Sequence, residues 1–271
     1  MIPVRNWVKQ SLCLLVLATV GLAGCDMDLA NFGAPNKNPA TQSASTQAQA
    51  QLPRNFMQLT VFKITLPLGV FSGDERLWEL LDQDGLESGT AVMLAHNGLR
   101  AGVGTVSTWE QLRKRISDVG ASFSSYQIRT DGRTPVLLPT QQSIAEQILF
   151  VVDQDKRPLG RTYNNCDNSW RVNAVRQMGD RRALIQIEPV VVLGTSVHVA
   201  RTETELGVVS STSRQEETLT PARLALEMDA NQFLLLAPAN PKKSEFTIGT
   251  RFLSDTTRLP VTETLLVLVP G

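Results

Sequence analysis

Beyond Pro139 apolar residues stop recurring at helical spacing. Short apolar runs follow one another instead, divided by turn-forming clusters such as Asp153-Gln154-Asp155 and Met178-Gly179-Asp180. In an extended chain successive side chains point to opposite faces, so runs of strand length bounded by turn residues pair into sheets. Segments 146–152, 168–175, 182–193, 196–200, 223–228, 232–236, 246–252 and 262–269 all read as strands. In one of them Leu224, Leu226 and Met228 alternate with Ala225, Glu227 and Asp229, as a sheet with one packed face requires. The polar run 202–220, rich in Ser, Thr and Glu, reads as a long exposed excursion between strands.

Ahead of Pro139 the pattern is mixed. Met57, Leu59 and Val61 alternate as a first strand. Asp74 is placed to cap a helix carrying Leu77, Trp78, Leu80 and Leu81, and a second helix over 87–95 ends at Asn97-Gly98. A strand over 99–106 leads to Thr108-Trp109-Glu110-Gln111, a capping-box-like start for a helix with Leu112, Ile116 and Val119 on one side and Gly120 as its stop. Segments 123–129 and 135–138 flank Asp131-Gly132 as a hairpin. The fold class expected is therefore α+β: a small N-terminal α+β unit over 52–139, then a mainly antiparallel β domain over 140–271.

The first residues carry an address. Arg5 and Lys9 precede an uncharged, mostly apolar run over 11–20, and Leu22-Ala23-Gly24-Cys25 closes it. The run is too short for a membrane span and has the layout of a cleavable secretory signal. Leu-Ala-Gly-Cys at this position resembles the lipobox of bacterial lipoproteins. That resemblance implies cleavage between Gly24 and Cys25, acylation of the Cys25 thiol, and attachment to a cell-envelope membrane by lipid. It assigns 1–24 to the signal and 25–51 to the lipidated cysteine and a flexible tether rich in Asn, Ala, Gln, Ser, Thr and Pro. The inner or outer membrane is left open.

Composition narrows the remaining classes. Lys plus Arg number 26 against 26 Asp plus Glu, which leaves no electrostatic footprint for nucleic acid, so no nucleic-acid partner is expected. With Cys13 in the signal and Cys25 acylated, Cys166 is the one thiol in the folded part. No intramolecular disulfide is then expected, and no basic group local in sequence marks Cys166 as a nucleophile. Phosphate-loop, zinc-protease, serine-hydrolase and paired Cys-x-x-Cys motifs are missing. Gly98, Gly102 and Gly104 are mis-spaced for a dinucleotide fingerprint. His96 and His198 lie about a hundred residues apart, and Asp153, Asp155 and Asp167 lack calcium-loop spacing. The carboxylates at Asp74, Glu75, Glu79, Asp82 and Asp84 read as a solvated helix face, and Trp78 and Trp109 as core. No catalytic residue, cofactor or metal site is expected.

The blocks 183–189, 224–236, 248–253 (Ile-Gly-Thr-Arg-Phe-Leu) and 262–270, the last a leucine-rich strand closing on Pro270, resemble in their order the C-terminal β region of bacterial secretins. The resemblance covers about 90 residues, and the Val-Pro-x-Leu-Gly segment of that family is absent between the blocks. It implies an envelope protein working by protein contacts or self-association within a secretin-like or other secretion assembly. An envelope hydrolase, or a ligand-binding lipoprotein whose site is assembled only in three dimensions, stands as the alternative.

Overall fold

The structure, a computed structural model, describes residues 57–176, 182–204, 207–240, 245–257 and 259–271, with the backbone alone described over 195–213. In chain order the elements are β1 (Met57–Pro67), α1 (Glu75–Trp78), α2 (Ser88–His96), β2 (Leu99–Thr105), α3 (Val106–Asp118), β3 (Ser122–Thr130) and β4 (Val136–Val152). Then come β5 (Pro158–Arg176), β6 (Ala183–Thr204), β7 (Gly207–Thr218), β8 (Leu224–Met228), β9 (Gln232–Pro238), α4 (Ile248–Leu253), β10 (Ser254–Asp255) and β11 (Thr262–Pro270).

The strands form two antiparallel sheets. The first runs β2-β9-β11-β1-β3, with β10 beside β11; the second runs β4-β5-β6-β7, with β8 beside β6. This overturns the expected fold class. A separate N-terminal α+β unit followed by a β domain does not exist, because β1 pairs with β11 from Leu59↔Pro270 to Pro67↔Thr262, and β2 pairs with β9. The local helix signals are real, but the strands among them complete their ladders with the other end of the chain. The molecule is mainly β, with four short helices among the described residues.

Three local expectations are corrected as well. Segments 123–129 and 135–138 do not form a hairpin, because β3 pairs with β1 in the first sheet and β4 with β5 in the second. The polar run 202–220 continues a hairpin, since β6 and β7 pair from Val190↔Thr218 to Thr204↔Gly207; its Thr and Val residues suit an extended backbone, and polarity alone does not make a loop. Segment 246–252 is not a strand, because Ile248–Leu253 forms α4. That helix lies against the turn after α2. The Gly249 N–H donates to Asn97 O at 3.0 Å, and a Cβ at Gly249 would run into the carbonyl of Gly98. Gly98 itself sits at φ +73°, a conformation in which glycine carries no steric penalty.

The middle of the first sheet is packed on both faces, which is why β9 and β11 read as near-continuous apolar runs. On one face Phe62 stacks on Trp109 at 5.7 Å, Trp109 meets Phe233 edge-on at 5.5 Å, and Phe71 meets Trp78 at 5.1 Å. On the other, Leu59, Val61, Leu266 and Leu268 face the second sheet, from which Trp170 and Val172 contribute to the shared core. α4 fills the space between the sheets, with Phe252 edge-on to Trp170 at 5.6 Å.

Two buried amides inside this sandwich are matched to one another. Gln147 and Asn168, both buried, exchange amide hydrogen bonds of 2.7 and 3.0 Å, and Asn168 Nδ2 also donates to Arg251 O at 2.8 Å. On the outer side Arg171 of β5 reaches Glu188 of β6 at 2.9 Å and Glu216 of β7 at 2.5 Å, tying three strands together. Burial works against the Arg171 charge, but the hydrogen bonds it donates to Glu216 and Glu188 outweigh it and raise its pKa.

Candidate functional site

Period two along β1 puts Met57, Leu59, Val61 and Lys63 on one face, the face that looks toward the second sheet. Lys63 is therefore a cation at the margin of an inter-sheet core. Its Nζ donates to Thr140 O of β4 at 3.4 Å, a long contact, and among the described residues no carboxylate lies within ion-pair distance. The side chain is half-buried.

Beside Lys63 the two sheets part. A cleft of about 250 Å³ opens between β3 and β4, floored by Val61 and Leu266 and walled by Tyr126, Ile128, Val136 and Leu138. Its surface is mostly apolar, with Lys63 as the one charged residue in the lining. Tyr126 pairs with Val61 and Ser124 with Lys63, so both β3 side chains stand on the cleft face. Tyr126 remains 49% exposed at the mouth.

The edges that flank the cleft differ. β4 is broken by Pro139 and by two register shifts against β5, and farther along its Phe150 N–H is taken by Phe246 O at 2.7 Å. At the far edge of the first sheet, β2 is covered by reciprocal 2.8 Å bonds between Val103 and Asp82. β3 is bonded to β1 in unbroken register from Met57↔Thr130 to Thr65↔Ser122. Its other side has no strand neighbour among the described residues. It contains no Pro and no Lys, and Arg129 is its one charge.

The residues singled out from sequence fall elsewhere. Gly24 and Cys25 lie outside the described residues. Cys166 is buried with Gln147 Nε2 donating to its Sγ at 3.2 Å, and burial pushes its thiol pKa up, so the side chain stays a thiol where a nucleophile needs a thiolate. His96 ends α2; the His198 side chain lies outside what is described. Trp78, Trp109 and Trp170 are all buried in the core.

Several of the carboxylates marked in the sequence are engaged. Asp74 caps α1 and holds Arg76, whose hydrogen bond lowers its pKa; Arg100 does the same for Glu75. Asp153 accepts from the Arg157 backbone, Asp155 meets the Arg157 side chain, and Asp167 takes the Ser143 N–H and the Arg214 guanidinium, each at 2.7 Å. A general acid needs a raised pKa, and hydrogen bonds push Asp74, Glu75 and Asp153 the other way. Among the described residues no group of three or more His, Cys, Asp or Glu is placed to hold a metal ion, and no helix is long and apolar enough to cross a membrane.

Sequence reading missed Lys63. The signal was available, because the period that places Leu59 and Val61 inside places Lys63 in line with them. What could not be read was that residues 136–140 of β4, in the other sheet, would pass Lys63 and wall a cleft beside it. A comparison of the chain with family models, curated proteins and solved structures finds no match.

Proposed function

We propose that this chain is a noncatalytic, lipid-anchored protein of the cell envelope that works by contact with other proteins. The observation that carries the contact reading is the side of β3 with no strand neighbour among the described residues, an edge in unbroken register with no proline or bulge and only one charge, Arg129, where such features usually block pairing with another chain. Leu22-Ala23-Gly24-Cys25 supports the anchor, and the segment 26–51 supports a tether that lets such an edge reach its target. The block order of the C-terminal half makes a secretin-like or other secretion assembly the setting in which to look first. The engaged carboxylates and the buried Cys166 weigh against the hydrolase alternative.

The test is expression of the full chain in a bacterial host with an alkynyl palmitate label, followed by membrane fractionation and crosslinking. Wild type is expected to carry label, sediment with membranes and crosslink to an envelope protein. Cys25→Ala is expected to lose both label and sedimentation. An unlabelled wild type, or a Cys25→Ala protein that still sediments, overturns the anchor.

A further inference from the structure

We infer that β3 and the adjoining cleft form a docking site for an extended peptide segment of a partner protein, one that presents an acidic side chain and an apolar side chain on the same face. This names the partner for the contact reading above and rests on it.

Three observations converge on that chemistry. First, β3 is an open strand edge in continuous register, so a partner strand can satisfy its outward N–H and C=O groups along 122–130. Strand addition draws its affinity from such main-chain bonds and its selectivity from pockets for alternate side chains. Second, the cleft lies on the side of β3 toward which Ser124 and Tyr126 point, two residues apart. A strand laid along β3 would direct every second side chain at it. At about 250 Å³ the cleft falls short of the roughly 300 Å³ at which small-molecule pockets begin, and it suits individual side chains better than a free ligand.

Third, Lys63 gives the cleft a sign. It lies opposite Ser124, with no carboxylate of its own among the described residues and one long bond to a backbone carbonyl. A carboxylate on the incoming strand at the Ser124 level would gain a charge-assisted hydrogen bond from Nζ. An apolar side chain two positions away would fall at the Tyr126 level, beside Val61 in the cleft lining. The recognised pattern is acidic-x-apolar along one extended segment.

The experiment pans a phage-displayed random dodecapeptide library on the full chain, solubilised in detergent and immobilised. A synthetic copy of the most enriched peptide is then titrated against wild type, Lys63→Met and Lys63→Glu. The expected result is enrichment of acidic-x-apolar peptides, about tenfold weaker binding to Lys63→Met, and a switch to basic-x-apolar peptides when the library is panned on Lys63→Glu. A merely structural role for Lys63 would not reverse the selected charge. Amide exchange at 122–130 is expected to slow on binding. Failure to enrich any peptide, or binding indifferent to Lys63, overturns the proposal. So does decanoate occupying the cleft while peptides do not, or a concentration-dependent dimer that protects 122–130. None of these readouts depends on the lipid, so failure here and failure of the anchor are told apart.

Discussion

The side chain of Asn97 pairs with the backbone of Val152 as a neighbouring strand would: Nδ2 donates to Val152 O at 3.1 Å, and Oδ1 accepts the Val152 N–H at 2.9 Å. Asn97 closes α2 and is fully buried, so one side chain ties the helical end of the first sheet to the last residue of β4 in the second. Replacing it by Leu strands both backbone groups of Val152 in an apolar setting. Unmet buried groups cost about 1–3 kcal/mol, so Asn97→Leu is expected to lower stability by about 3 kcal/mol, read as a fall in the urea midpoint with an unchanged slope.

Gly249→Ala should be as damaging for a different reason. Its Cβ would overlap the carbonyl of Gly98, which is held on its other side by the Ala239 N–H at 2.8 Å and has little room to yield. Overpacking typically costs about 1–3 kcal/mol, and a backbone obstacle belongs at the top of that range. Thermal melting checks this, with roughly 2–4 °C lost per kcal/mol for a chain of this size. A melting temperature within 1 °C of wild type, to about the precision of the scan, would contradict the close approach.

Glu263 is buried and accepts the Phe71 and Ser72 N–H groups through one carboxylate oxygen, at 2.6 and 3.1 Å. Glu263→Ala removes the acceptor for both, with an expected loss of about 3 kcal/mol. Glu263→Gln keeps an oxygen within reach and should lose clearly less. Equal losses for the two would show that the side chain's packing, and not its acceptor, matters.

Alkaline pH should destabilise the fold through Cys166 and Tyr163. Burial raises both above their ordinary values of 9.0 and 10.0. The unfolded chain gives up these protons at lower pH than the folded one, so their stabilising contribution is full below the ordinary values and is lost as pH climbs through the raised ones. Urea midpoints are expected to fall above about pH 9, and less so in the double variant Cys166→Ala/Tyr163→Phe. Iodoacetamide should label Cys166 at the rate of unfolding rather than that of a free thiol.

Part of this architecture is legible in the residues and part is not. Leu224-Ala225-Leu226-Glu227-Met228 announces a strand by alternation, and β8 is that strand. Asp74 announces a helix start, and its side chain accepts the Arg76 N–H. These are local relationships. Nothing local in Met57–Pro67 says that Thr262–Pro270 will lie beside it, because a ladder is specified by register with a distant segment, and β9 has the same apolar character as β11. The same blindness hid the cleft. Lys63 is in line with Val61, but its place at a cleft depends on how residues 136–140 of a strand in the other sheet pass it.

The pairing of β1 with β11 bears on how the protein is made. Chains emerge N-terminus first, and β11 lies between β1 and β9 in the first sheet. That sheet cannot close until residues 262–270 have appeared, and closing such long-range contacts is intrinsically slow. Until then β1 can pair with β3 on one side, while its other edge, the one that takes β11, waits open.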